Sequence, residues 1–449
     1  MILVWLLFCF GSTLFPQSTF DSKFFFYIVN ETSGKDYIVD DKNLTIGGIG
    51  VTFDYKYKNY LVKGTFSNNR FYNSSFSNYN DYQRITYIGN RTEHSFDFDN
   101  SKATLDYKNN FFSYSIGKSN YKIGDGYRSI IFSDSTPSFP NFNFTWNFYR
   151  NLDFSYMHGI LSSSIYDERT NEELYSSFNK DQYDRHVVYH KINYRIDWIK
   201  DLDLSIGFSE MVAYGARGFD FNYIFPFNFY WSIQHSLGDK DNVQMHGYIN
   251  LKIKDISFFY NLLIDEWTPE LTFEEINRNW FGHHGGIKLN EVFFHDRLII
   301  EVIWNDHRIY RHRFQINDFY SYNNPIGFWA GPHSQELFIM YEANLSETNS
   351  ICFRYTNSSR GELTKEMILD QYRTIEYKRF SGIVESKEMI TFELEKQFYE
   401  NIKIKMGVSL VNWTNAGFEP YQNSDNIYDK SELIDIEKIS FNTSVFYNF

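Results

Sequence analysis

The last twelve residues of the chain read Lys438-Ile-Ser-Phe-Asn-Thr-Ser-Val-Phe-Tyr-Asn-Phe449. Successive side chains of a strand point to opposite sides, so Ile439, Phe441, Thr443, Val445, Tyr447 and Phe449 share one face. Lys438, Ser440, Asn442, Ser444 and Asn448 share the other, and only Phe446 breaks the alternation. The segment is a strand with one oily face, ending in an aromatic pair suited to a membrane interface.

Composition extends that reading to the whole chain. The 449 residues include 46 Phe, 36 Tyr and 9 Trp, bringing aromatics to 20%. Mean hydropathy is nevertheless only −0.46, because polar residues alternate with the apolar ones and hide them from averaging. No run of about 18 uninterrupted apolar residues occurs, which argues against membrane-spanning helices. A membrane, if crossed, is crossed by strands. The ending resembles the closing strand of a bacterial outer-membrane β-barrel.

Met1 to Phe10 is an apolar run followed by Gly11, Ser12 and Thr13, the pattern of an export signal, although no Lys or Arg precedes it. Residues 1–18 are assigned to that signal and 19–449 to one barrel domain, since no Pro/Ser-rich linker or composition break divides the remainder. Phe8 before Cys9 is a poor fit to a lipoprotein cleavage site. With the signal removed, Cys352 is the only cysteine, so no internal disulfide or thiolate metal cluster is expected.

Very short polar turns recur at Lys58-Asn59, Asn109-Asn110, Arg150-Asn151, Lys200-Asp201, Lys254-Asp255, His295-Asp296, Ser346 to Asn349 and Glu400-Asn401, spaced by about fifty residues. Period-2 alternation follows them, as in Leu202, Leu204, Ile206 and Phe208, or Ile402, Ile404, Met406, Val408 and Leu410. Long polar stretches lie between, such as 68–84, 162–185, 357–387 and 413–437. Short turns on one side and long loops on the other are the asymmetry of an outer-membrane barrel. Eight hairpins of this kind, with one strand before the first and one after the last, predict an all-β, antiparallel up-and-down transmembrane barrel of about 18 strands, both termini on the short-turn side. A soluble β-sandwich or propeller is the competing architecture.

Three segments depart from alternation. They are 118–134, which contains Gly124, Gly126, Tyr127, Arg128, Ser133 and Asp134; 210–242, which contains Glu210, Tyr214, Gly215, Tyr223, Pro226, Tyr230, Asp241 and Asn242; and 324–333, which contains Gly327, Trp329, Gly331 and Pro332. The turn scheme places all three on the long-loop side, at the mouth or folded into it. The loop from Gly215 to Asn242 is too apolar for solvent and is expected to fold into the lumen.

These segments, with the Leu-Leu-Ile-Asp-Glu run ending at Asp265 and Glu266, resemble the capsule assembly Wzi family of outer-membrane proteins. The resemblance is densest from about Asn110 to Leu345. It implies an 18-stranded barrel acting as a surface lectin that retains or helps assemble extracellular or capsular polysaccharide. The chain departs from the family pattern at Asp125, where a Pro is expected between the two glycines, and in lacking a segment that reads as a helical bundle.

Residue chemistry is compatible with that role. Sugars present apolar ring faces edged with hydroxyls, so their sites combine flat aromatics with hydrogen-bonding side chains. Tyr127, Arg128, Asp134, Tyr223, Tyr230, Asp241, Asn242 and Trp329 are the glycan-binding candidates. Their alternative role is structural: rim aromatics form membrane girdles, and luminal Arg and Asp brace one another. Glycines 124, 126, 215 and 331 are assigned to backbone needs. Alternation points Asp265 into the lumen, where a brace to an arginine is expected.

A net charge of −13 and a pI near 5.4 argue against nucleic acid as a partner. Extracellular polysaccharide, outer-membrane lipid and the barrel-assembly machinery are the expected partners, with a monomer as the working state. No enzyme, cofactor or metal site is expected: His283-His284, Asp306-His307 and His312 have no catalytic or ligand spacing, and neither Gly-x-Ser-x-Gly nor His-Glu-x-x-His occurs. An outer-membrane porin or solute channel is the alternative function, since a barrel this wide can hold water.

Overall fold

The structure, a computed structural model, describes residues 18–32, 43–72, 88–89, 95–134, 136–166, 182–272, 279–293, 295–322, 324–363, 367, 379–380, 382–416 and 433–449. The expected export signal lies outside them except for its last residue, Ser18, which begins the first strand. Numbering only the long strands, the chain runs β1 (Ser18–Thr32), β2 (Asn43–Tyr57), β3 (Tyr60–Tyr72), β4 (Ser95–Lys108), β5 (Phe112–Ser119), β6 (Phe139–Tyr149), β7 (Leu152–Tyr166), β8 (Gln182–Ile196) and β9 (Leu202–Gly215). It continues through β10 (Asn242–Ile253), β11 (Ile256–Glu266), β12 (Trp280–Asn290), β13 (Asp296–Asn305), β14 (Ser334–Asn344), β15 (Asn349–Gly361), β16 (Val384–Phe398), β17 (Ile402–Ala416) and β18 (Ile434–Asn448).

Each strand pairs antiparallel with the next, and β18 closes on β1 with Phe25 opposite Asn448 and Glu31 opposite Asn442. The result is a closed barrel of 18 antiparallel strands, the architecture the turn pattern predicts. Closure removes the unpaired edges that an open sheet of this size would expose. All eight predicted turns fall on short connections, which lie together at one end of the barrel. Lys58, Asp201, Lys254 and His295 adopt positive φ there, as tight hairpins require. The two that shift are the β8–β9 turn, which begins at Asp197, and the β12–β13 turn, which ends rather than begins at His295.

Alternation sorts the two faces of the wall. Along β9, Ile206 and Phe208 are exposed on the outside while Met211 and Ala213 are buried inside. Along β13, Val302 is exposed outside, whereas Ile299, Glu301 and Ile303 are buried inside. At the seam, the Phe449 amide donates to Phe24 O over 2.9 Å, and the Phe24 amide donates back to Phe449 O over 3.1 Å. Phe446, out of step in the sequence, stacks on inward-facing Tyr27 with ring centroids 5.7 Å apart.

Among the described residues, two long-side connections enter the lumen. Residues 120–138 bring Ile130, Ile131 and Phe132 against Phe319, Ile326 and Phe328 of residues 306–333, and both pack on inward Met157, Tyr189, Leu263 and Ile303. Burying an apolar side chain of this size contributes roughly 1.5–3 kcal/mol, so three such residues hold the loop firmly. The loops are also tied where they cross: the Ser133 amide donates to Ile326 O over 2.8 Å, and the Tyr310 hydroxyl donates to Ile130 O over 2.5 Å. Arg185, pointing inward from β8, donates to the carbonyls of Gln315, Ile316 and Tyr320.

The third connection, residues 216–241, overturns the expectation that it folds inward. Its Tyr223 and Tyr230 pack with Phe154, Tyr156, Val188, Val212, Tyr214 and Val243, all of which occupy outward-facing positions. The loop therefore folds back over the outer wall at β7 to β10. Its apolar character arises because it covers an external surface, and the lumen there is already filled by the other two loops.

Candidate functional site

The tip of the 120–138 loop is held against the inner wall by two buried carboxylates. Glu301 accepts from the amides of Tyr127 and Arg128, the latter at 2.9 Å, and lies 3.2 Å from His284 Nε2. Glu336 accepts from Arg128 Nε at 2.7 Å and Nη2 at 3.2 Å, and from the Trp329 indole N–H at 2.8 Å. Charge-assisted, bidentate bonds of this kind fix orientation as well as adding energy. Burial alone would depress the Arg128 guanidinium, but Glu336 overrides it and raises its pKa above the usual arginine value.

Around this knot, the Tyr127 ring stacks on Phe338 at 4.7 Å between centroids and 14° between planes. The Lys122 ammonium lies 5.9 Å from the Tyr127 ring centre and donates to Tyr127 O over 3.0 Å. Lys122, Tyr127, Arg128, Asp134, Phe328 and Trp329 line a cavity of about 160 Å³. A second cavity, of about 550 Å³, reaches from Tyr127 to His295 at the short-turn end and is lined by Arg297, Glu342, Arg354, Glu393, Glu395 and Lys405. Tyr127 borders both.

Glycine permits this crowding. A Cβ on Gly126 would come within 2.5 Å of the His284 ring, and one on Gly327 within 2.5 Å of Ile130 O, where the loops cross. Gly124 and Gly331 sit at φ +110° and +70°.

Four of the eight glycan candidates, Tyr127, Arg128, Asp134 and Trp329, thus line one cavity. The other four do not join them. Tyr223, Tyr230, Asp241 and Asn242 are buried at the outer loop and its junction with β10. The Tyr223 hydroxyl donates to Asp241 Oδ2 over 2.8 Å, and Arg217 forks onto Asp241 at 2.8 and 2.7 Å. Tyr230 stacks on His190 at 4.2 Å. These contacts fasten the loop and leave no face for a ligand.

Glu210, on the outer wall, accepts from the Tyr230 amide at 3.0 Å and the Trp231 amide at 3.4 Å, and lies 3.0 Å from His190 Nε2. The Pro226 carbonyl meets the other ring nitrogen at 2.9 Å, and the Tyr214 hydroxyl accepts from the Asp220 amide at 3.2 Å. Gly215 passes close to Ile316, and Pro332 is buried beside Gly331. Asp265 points inward as expected. Its partners are Gln244 and the Tyr310 amide, at 3.0 Å for the latter, rather than an arginine, because the 306–333 loop descends to meet it. Glu266 ends β11 beside it.

Glu301, Glu336, Phe338 and Lys122 were missed in the sequence. The available signal was an acid at an inward position between apolar neighbours, as in Ile299-Ile-Glu-Val-Ile303. Alternation also separates the histidine pair: His283 faces outward, 2.7 Å from the Tyr260 hydroxyl, and His284 inward to Glu301. Among the described residues no group of three His, Cys, Asp or Glu is placed to hold a metal.

No protein-family model matches the chain, and no curated protein matches it. Among solved structures it is similar to Wzi of Escherichia coli, an outer-membrane protein involved in group 1 capsule assembly and a carbohydrate-binding β-barrel. The match has 12% identity and a TM-score of 0.57, and covers 98% of this chain and 86% of that one. OccAB2 of Acinetobacter baumannii, at 8% identity and TM-score 0.49, covers 97% and 98%. OccK7 of Pseudomonas aeruginosa, at 9% identity and TM-score 0.49, covers 97% and 99%. At such identities the likeness is one of fold: the chain has the fold of an 18-stranded outer-membrane β-barrel.

Proposed function

We propose that the protein is a bacterial outer-membrane surface lectin that retains or helps assemble extracellular or capsular polysaccharide. The observation that carries this reading is the lumen itself. Two crossed loops occupy it, and at their junction an aromatic and charged cavity is built from Tyr127, Trp329, Lys122 and Asp134. About 160 Å³ is small beside ordinary ligand pockets of roughly 300–1,000 Å³, so the site serves one sugar unit or side group of a polymer. Arg128 is spent on Glu336, leaving exposed Lys122 as the cation for an anionic polymer.

Trp329→Ala combined with Tyr127→Ala is expected to release polymer from the surface into the medium at unchanged barrel abundance. Each lost stacking contact, about 1 kcal/mol, weakens a subsite several-fold, and a long polymer bridging many copies multiplies small losses through avidity. Polymer retention unchanged in a folded double mutant would sink the site.

The 550 Å³ cavity reaching Tyr127 from the short-turn end favours a second reading, a gated solute channel. Planar-bilayer recording separates the two. Stable large openings of the native protein support the channel, and closed behaviour with polymer retention supports the lectin.

A further inference from the structure

We propose that the 216–241 loop is a membrane anchor whose aromatic tip inserts among the acyl chains of the surrounding lipid leaflet. Phe219, Phe221, Phe225, Phe227, Phe229 and Trp231 all fall within this loop, and each is more than half exposed, reaching 84% at Phe221 and 71% at Phe229. Residues 221–234 contain no Asp, Glu, Lys or Arg. In water, so concentrated an apolar patch is a liability; in lipid it is the favourable state.

The surface continues one already facing lipid. On β9 and β10, which carry the loop, Ile206, Phe208 and Ile249 are exposed on the same outer face, and on neighbouring β8 so are Ile192 and Tyr194. Phe227 stacks on outward Phe154 at 4.9 Å, and Phe219 lies 5.1 Å from both His158 and His186. The loop therefore thickens the oily belt on one side of the barrel.

Charge is distributed along the loop as a membrane demands. Its feet carry Arg217, Asp220, Asp239, Lys240 and Asp241, with Arg217 paired to both Asp220 and Asp241 and Arg313 donating to Asp239 O over 2.6 Å. Those groups suit the headgroup level, and the uncharged tip suits the acyl layer. The wall beneath supplies an independent argument. His190 and Glu210 are polar residues on the outward face, where an uncovered pair facing lipid would be strongly disfavoured. The loop closes over them with the Tyr230 and Trp231 amides and the Pro226 carbonyl. Such complete enclosure is needed where the surroundings are not water.

The inference rests on membrane insertion of the barrel but not on its ligand. The test uses the full chain with Cys9→Ser and Cys352→Ser, reconstituted in phosphatidylcholine vesicles and carrying an NBD-labelled cysteine. The labelled substitutions are Phe221→Cys and Phe229→Cys in the loop, Phe208→Cys on the belt and Lys240→Cys at the foot. Acyl-chain doxyl lipids are expected to quench positions 221, 229 and 208 several-fold more than position 240, and aqueous iodide to show the reverse. Lipid quenching at 208 but not at 221 and 229 would overturn the anchor alone. Its absence at 208 as well would overturn membrane insertion. Protection of 221 and 229 from both quenchers, with cross-linking between copies, would assign the patch to a second copy of the chain and overturn the proposal. As a label-free check, brominated acyl chains should quench native tryptophan emission, and Trp231→Phe should remove part of that quenching; an unchanged quenched fraction in folded Trp231→Phe counts against insertion.

Discussion

Glu210 carries more of the outer surface than its position in the sequence suggests. It receives two backbone N–H groups and faces a histidine, all enclosed between wall and loop. Removing a buried acceptor leaves its donors unsatisfied at about 1–3 kcal/mol each. Glu210→Ala should therefore lower the midpoint of heat-modifiable unfolding measurably, by the equivalent of roughly 2–4 kcal/mol. Glu210→Gln, which keeps one acceptor oxygen, should lose less. An unchanged midpoint in Glu210→Ala would mean that the loop does not depend on this residue. Glu210 was recognisable from alternation, since it shares the parity of Leu204, Ile206 and Phe208 and so had to face outward. Its place at the start of the 210–242 segment, where alternation breaks off, hides that parity.

Among the elements, β18 is the one whose reading from sequence needed least correction. Its oily face is outward, with Ile439 and Phe441 exposed, and its end is tied to β1 by paired backbone bonds at Phe24 and Phe449 and by stacking of those two rings at 6.0 Å. Deleting Tyr447 to Phe449 removes part of the ladder that closes the barrel, so the outer-membrane level should fall sharply, with Phe449→Ala causing a smaller loss. Normal abundance and normal heat-modifiable migration of the truncated protein would contradict this. The 216–241 loop is the opposite case. Its apolarity was legible, but its direction was not, because an aromatic segment gains as much by covering an outer wall as by filling a lumen.

For the whole molecule, the short-turn end and the long-loop end should lie on opposite sides of the membrane. In a Cys352→Ser background, cysteine at Asn59, Asn151 or Lys254 is expected to react with an impermeant thiol reagent only after the outer membrane is opened. Cysteine at Ser74, Asn171 or Ser424, which lie outside the described residues, should react on intact cells, as should Lys240→Cys at the exposed foot of the outer loop. Reversed or mixed labelling would invert or break the arrangement. Strand number, pairing order, closure and the two ends follow from the sequence alone, because parity and hairpin turns are decided by backbone geometry within a few residues. The destinations of the loops are decided only in the tertiary structure. Tyr127 and Trp329, some two hundred residues apart, meet through Arg128 and wall carboxylate Glu336, while Tyr223 and Tyr230 are drawn to the outside by Asp241, His190 and Glu210. Such partners become neighbours only once the barrel has closed, so a loop's own pattern of polar and apolar residues does not encode which side of the wall it will cover.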